Sequence, residues 1–295
     1  MNLFVADPHW GWWIILYFFL GGIAAGAYFT STLIELVGKE EDRPIARVGY
    51  LIALPLISIC GLFLIVDLNH PWRFWHMLID SETGMPQIKL GSPMSIGSWA
   101  LSLFGLCSFI SFVASVRPRG MVARWHRSRM FGRPLRVVGC AVGFFVASYT
   151  GALLTATNQP IWSDTTWIAS LFLASAASTG IAAMILLGRK QATTATLVRL
   201  ERADRWVLIL EFVVFVIFLA SLGSFLLPLA GTLAGKVLIG GTLLFGLVVP
   251  LAIHFRFGLR GHLATATAVS VLVGYQFQSW EVFTILFSSI LPLLL

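Results

Sequence analysis

Ten consecutive residues of this chain place an acid, an amide, two histidines, an arginine and three aromatic rings together. They are Asp67-Leu68-Asn69-His70-Pro71-Trp72-Arg73-Phe74-Trp75-His76. A carboxylate and an imidazole this close in sequence can exchange protons, and an arginine can orient either. The rings suit a membrane–water boundary, where amphipathic aromatics gather and a basic side chain snorkels outward. That accounts for the tryptophans but leaves Asp67 and His70 over, because a carboxylate at the end of an apolar span is costly unless paired or used. Two phenols, Tyr17 and Tyr149, fall at a matching depth. A phenol inside an apolar segment needs a hydrogen-bond partner. Tyr17, Asp67, His70 and Tyr149 then form convergent polar groups between aromatic walls, the makings of a ligand site. A quinone headgroup needs such a site: flat apolar walls, a donor for each carbonyl oxygen, and a carboxylate or imidazole for its protons.

The elements that must position these groups are membrane spans. The chain has 295 residues, 58% hydrophobic and 11% charged, with a mean hydropathy of +0.87. A soluble domain is about 25% charged, so this composition excludes an ordinary soluble enzyme, a disordered chain and a disulfide-stapled secreted domain. Apolar runs of about 20 residues recur throughout. They predict an all-α integral membrane protein with eight transmembrane helices over 12–37, 48–68, 93–115, 135–157, 165–188, 206–228, 236–256 and 263–280. The first run reads as a span rather than a cleaved leader. Residues 72–79 read as a short interfacial helix. Ser92 reads as the N-cap of the third span, with Pro93 in its first turn; Trp99 follows about two turns later. Pro55 is expected to kink the second span. The remaining segment, 281–295, reads as an apolar tail.

Seventeen of the 20 basic residues lie in the odd-numbered loops, seven of them between Arg117 and Arg136; the even loops hold Arg73, Lys89 and Lys236. By the positive-inside rule the odd loops face the cytoplasm and both termini lie outside. This also explains the net charge of +7 without nucleic acid, although the arginine-rich third loop could hold anionic lipid headgroups. Cys60, Cys107 and Cys140 are scattered in apolar runs and form no ligand cluster, so no metal site is expected. A haem would need two histidines at matched depth within the spans. His70 and His76 fall at one face, His254 and His262 near the other, and His9 and His126 off the spans; no haem is expected. Two small-residue stretches, Gly21-Gly22-Ile23-Ala24-Ala25-Gly26 and Ala174-Ser175-Ala176-Ala177-Ser178-Thr179-Gly180, suit close helix contact and hint at a repeat of four spans. Glu211, about one and a half turns into the sixth span from the cytoplasm, and Glu35, near the cytoplasmic end of the first, belong either to a proton route or to ion pairs with loop arginines.

An ordered set of short motifs resembles the NrfD-like family of membrane subunits, which includes the membrane subunit of polysulfide reductase. The set is the Gly-Gly-x-x-Ala-Gly face of span one, His70-Pro71-x-Arg73-Phe74, Ser92-Pro93 with Gly97-x-Trp99, Tyr149-x-Gly151, Pro160-x-Trp162 and Gly274-x-Gln276. The resemblance implies two four-helix bundles, here 1–162 and 163–280, in a bacterial inner membrane. It implies a menaquinol site near the outer face, with Tyr149 on the headgroup. Tyr17 stands where the polysulfide-reductase type has histidine. In this assignment Tyr149 and His70 face the carbonyl oxygens, Asp67 takes a proton, Arg73 orients Asp67 or the headgroup, and Trp99 lines the wall. Electrons would leave through a ferredoxin-like iron–sulfur subunit to a molybdenum or other catalytic subunit, or to a multihaem cytochrome. Two other readings compete: a secondary transporter, and a passive anchor for a soluble enzyme. Transporter sites lie at the midplane, whereas the polar cluster here lies at one surface.

Overall fold

The computed structural model describes residues 12–68, 70–156, 165–231, 236 and 238–256. Nine α-helices run through them. They are α1 (Trp12–Val37), α2 (Arg43–Asp67), α3 (Pro93–Val116), α4 (Met121–Arg127), α5 (Gly132–Thr155), α6 (Trp167–Gly188), α7 (Thr194–Ser221), α8 (Leu226–Gly231) and α9 (Val249–Arg256). Five of these segments, ending at Val37, Asp67, Val116, Thr155 and Gly188, are long and apolar enough to cross a membrane. Helices are the expected solution, since hydrocarbon offers no partner to a free backbone N–H or C=O. The first five predicted spans are therefore present as helices. The predicted eighth span and the tail 281–295 lie outside the described residues, as do Gly274, Gln276, Pro160 and Trp162.

Three boundaries differ from expectation, each for a local reason. α2 starts at Arg43, so Arg43 and Arg47 of the first basic loop are helical, with Pro44 in the first turn. The loop after α3 holds a helix of its own, α4. Hydropathy starts the sixth span at residue 206, yet α7 begins at Thr194 and runs 28 residues to Ser221. The Thr193 hydroxyl caps it by accepting from Thr196 N at 3.1 Å, satisfying one of the orphan amides of a helix start. Its first three turns carry charge, which hides the helix from an apolar-run search. Beyond it, Leu238–Val248 is π-helical and leads into α9. Pro55 lies within a continuous α2.

Burial shows which helices are central. In the apolar windows of α1 and α6, 83% and 78% of residues are buried, against 33% in α2 and in α3. α1 packs on α2, α5 and α6; α6 packs on α1, α5 and α7; α3 packs on α2 and α5. The two small-residue stretches are what permit this. A Cβ added at Gly26 would stand 1.8 Å from the Ala176 carbonyl oxygen, and one at Gly180 would stand 2.2 Å from the Gly26 carbonyl carbon. The expected close-contact faces of α1 and α6 thus meet each other, backbone to backbone. α2 approaches α1 in the same way at Gly49, where a Cβ would meet Ser31 Oγ at 1.9 Å. Glycine costs a helix about 1 kcal/mol relative to alanine, and close packing offsets that cost here.

Candidate functional site

The two ends of the bundle are chemically distinct. One end carries α4 and the arginine-rich loops; the other carries the segment from Asp67 to Trp99. At the second end the anticipated short helix is present as a 3-10 helix, Pro71–Met77. A tight turn follows, with Gly84 at φ 66 and an isolated antiparallel bridge between Ile79 and Pro86. Ser92 caps α3 as its sequence suggested, accepting from Ser95 N at 3.5 Å, with Pro93 at the first position. Trp99 Nε1 donates to the Gln87 carbonyl at 3.1 Å and so pins this turn to α3.

Tyr149 joins α5 to the start of α3. Its hydroxyl donates to the Pro93 carbonyl at 2.6 Å, and its ring stacks on Phe145 at 5.8 Å and 25°. Gly97 makes room for the ring: a Cβ there would stand 2.5 Å from the phenol oxygen. Gly151, two residues on, lets the α6 backbone come close, since its Cβ would meet Ala169 Cα at 2.6 Å. The spacing of Gly97, Tyr149 and Gly151 therefore has a packing cause. A groove of about 570 Å³ runs between α3 and α5; Tyr149 is not in its lining but stacks on Phe145, which is. Ile88, Trp99, Leu103, Leu106, Val142 and Phe145 line it, and it opens on the outer surface of the bundle.

The other expected site residues spread over this end. Tyr17 is buried on α1 against Phe18 and Gly21, and its carbonyl accepts from Cys60 Sγ at 3.7 Å. Asp67 is the last residue of α2 and half-buried, while His70 and Arg73 are exposed. Among the described residues no side-chain hydrogen bond or ion pair joins Asp67, His70 and Arg73 to one another or to either tyrosine. The structure thus brings Tyr149, Pro93, Gly97 and Trp99 into one cluster. Among the described residues no group of three or more His, Cys, Asp or Glu side chains is placed to hold a metal ion.

Glu35 and Glu211 have separate fates. Glu35 pairs with Arg136 at 2.5 Å, the arginine pairing that is one of its two expected roles. Glu211 accepts instead from the hydroxyls of Ser175 and of Ser178, the latter at 2.7 Å. With α7 starting at Thr194, it stands 17 residues along the helix, about 26 Å from that start. Glu201 and Asp204 are buried nearer the start of the same helix.

Sequence reasoning missed a polar network at the basic end. Tyr50 donates to Glu35 at 3.2 Å and lies 3.2 Å from the Thr32 hydroxyl. Tyr28 bonds Ser111 at 3.1 Å, and His126 Nε2 bonds the same hydroxyl at 3.1 Å. His126 lies off the spans, as expected, yet α4 folds it inward until it is 5% exposed. Burial holds its pKa down to about 4, with Arg136 and Arg127 adding to the effect and Glu35 opposing it. The signal was available: Tyr28 and Tyr50 are phenols within apolar runs and required partners as much as Tyr17 and Tyr149 did.

These features define a polytopic helical membrane protein with the Tyr149 cluster towards one end, an apolar groove between α3 and α5, and an arginine-rich surface at the other end. The profile of the family described as "Polysulphide reductase, NrfD" matches residues 5–293, and the chain belongs to that family. Over 190 residues it is 33% identical to a polysulfide reductase chain from Wolinella succinogenes, covering 61% of this sequence and 58% of that one. Over 104 residues it is 28% identical to a selenate reductase subunit from Mesobacillus selenatarsenatis, covering 35% and 22%. Over 194 residues it is 24% identical to protein NrfD of Escherichia coli, covering 60% and 58%. The aligned part thus spans less than two thirds of each of these relatives.

Proposed function

We propose that this chain is the quinone-binding membrane subunit of a respiratory oxidoreductase complex in the bacterial inner membrane. Menaquinol would bind near the outer face, at the end of the bundle that carries Tyr149. The observation that carries the reading is a groove of about 570 Å³ between α3 and α5, walled by Trp99 and by Phe145, on which Tyr149 stacks. An apolar ligand could enter such a groove from the lipid. Two relatives are, by name, parts of a polysulfide reductase and a selenate reductase, which supports a place in a redox complex.

A quinol supplies two electrons and two protons. Trp99 and Phe145 offer flat walls for its ring. The Tyr149 hydroxyl already donates to Pro93, so its oxygen is free to accept from a quinol hydroxyl. His70 would face the second oxygen. Half-buried Asp67 would take a proton, with Arg73 beside it. Tyr17, buried on α1, would set the wall behind. Glu35 and Glu211 are the candidate proton carriers deeper in the membrane. Electrons would leave to an iron–sulfur partner, and on to a catalytic subunit or multihaem cytochrome, docked over the 3-10 helix and the turn after it. Trp72, Phe74, Trp75 and Met85 are exposed there.

The test is Tyr149→Phe in the intact complex. Quinol-dependent turnover should fall by about tenfold or more, the equivalent of about 1.4 kcal/mol, while partner subunits still co-purify. Unchanged turnover would sink the site. A loss with assembly intact would exclude a passive anchor.

A further inference from the structure

We propose that the cleft at the arginine-rich end binds a phosphate oxyanion, carried by an anionic phospholipid headgroup or as free phosphate. The cleft holds about 480 Å³ and is separate from the groove between α3 and α5. That volume is within the range of small-ligand sites, about 300 to 1,000 Å³. Three elements converge on it. α2 supplies Arg43 and Arg47, α4 supplies His126 and Arg127, and α5 supplies Arg136. Its floor is small, with Ala114, Ser115 and Ala123 leaving the basic groups room.

The charges within the cleft do not cancel. Four arginines meet two carboxylates, Glu35 and Glu40. Glu35 is taken by Arg136 at 2.5 Å. Glu40 pairs with Arg43 at 3.0 Å, but both side chains are largely exposed, so water and salt screen that pair. Arg127 donates to the Pro118 carbonyl, and among the described residues Arg47 has no acid against it. Arg136 is 11% exposed and held by Glu35, so it stands as a fixed wall of the cleft, and the exposed Arg43 and Arg47 are the groups open to a ligand. Exposed guanidinium N–H groups give an oxyanion charge-assisted bonds. Guanidinium groups also match phosphate geometry better than a lone ammonium. A general bias of basic residues to one side of a membrane does not require convergence on one cleft. Basic clefts between helices at a membrane face are suited to anionic headgroups.

The test uses the full chain purified in mild detergent and followed by native mass spectrometry. The probes are phosphatidylglycerol, phosphatidylcholine and inorganic phosphate. Arg43 and Arg47 are exposed and can be changed without stranding Glu35, so the test variant is the double substitution R43Q/R47Q. The control is R119Q/R129Q, which removes two exposed arginines of the same end outside the cleft. Phosphatidylglycerol binding should weaken about tenfold in R43Q/R47Q and by less than about twofold in the control. Displacement of the lipid by inorganic phosphate would point to free phosphate as a ligand; lipid retention in its presence would point to the headgroup with its acyl tails. Equal binding of phosphatidylcholine, equal weakening in both variants, or no weakening in R43Q/R47Q would each overturn the proposal.

Discussion

Burial keeps the His126 imidazole neutral, and that has a measurable consequence. An exposed histidine titrates near 6.5, whereas His126 in the fold titrates near 4. Between those values the unfolded protein takes up a proton that the folded protein refuses. Stability from this group is therefore complete above about pH 6.5, declines as pH falls towards 4, and changes no further below that. The difference is worth about 3 kcal/mol. Thermal unfolding at pH 7 and pH 5 should show about 2 kcal/mol of it, with His126→Asn flattening the dependence; an unchanged slope in that variant would place the effect elsewhere. Asp42 acts in a lower range. Burial raises its pKa, but the bonds from Arg199 and Thr196 outweigh burial and hold it below 3.8, so its contribution is lost only as pH falls past that value. At this scale the sequence was legible where a residue's chemistry demanded a local partner, as with Ser92 capping α3. It was not legible where the partner lies far along the sequence, as with Tyr149 and Pro93 or Glu211 and Ser178.

Individual helices were legible to the extent that they were apolar. The helices from Trp12, Pro93 and Trp167 begin within two residues of where hydropathy put them. α7 does not, because Glu201, Arg202, Asp204 and Arg205 lie in its first half and no apolar window contains them. Its cap, Thr193, was the available clue. Small-residue stretches were the more informative pattern, since they identified the contact faces of α1 and α6. Gly180→Ala should cost about 1–3 kcal/mol, the range for overpacking a tight contact, seen as a lower melting temperature and reduced yield. Gly61→Ala is the comparison: nothing lies within 4 Å of its added Cβ, so helix propensity alone should make it neutral or stabilising by up to about 1 kcal/mol. Equal effects at both positions would mean that the α1–α6 crossing does not limit stability.

For the molecule as a whole, the charge asymmetry predicts an orientation. The positive-inside rule predicts α4 in the cytoplasm and the turn around Gly84 outside. Cysteines introduced at exposed Glu82 and Arg129 report this directly, because Cys60, Cys107 and Cys140 are buried. An impermeant maleimide added to whole spheroplasts should label Glu82→Cys and reach Arg129→Cys only after permeabilisation; the reverse pattern would invert the topology. The crossing of α1 and α6 bears on how such a sequence can change over time. Most packed pairs tolerate a larger residue on one side when the other shrinks to match. Between Gly26 and Gly180 no such exchange exists, because nothing is smaller than glycine and what stands opposite is peptide backbone. A substitution at either position has no second-site remedy within the pair, so α1 and α6 are bound to one geometry at that point while the surfaces around them remain free to diverge.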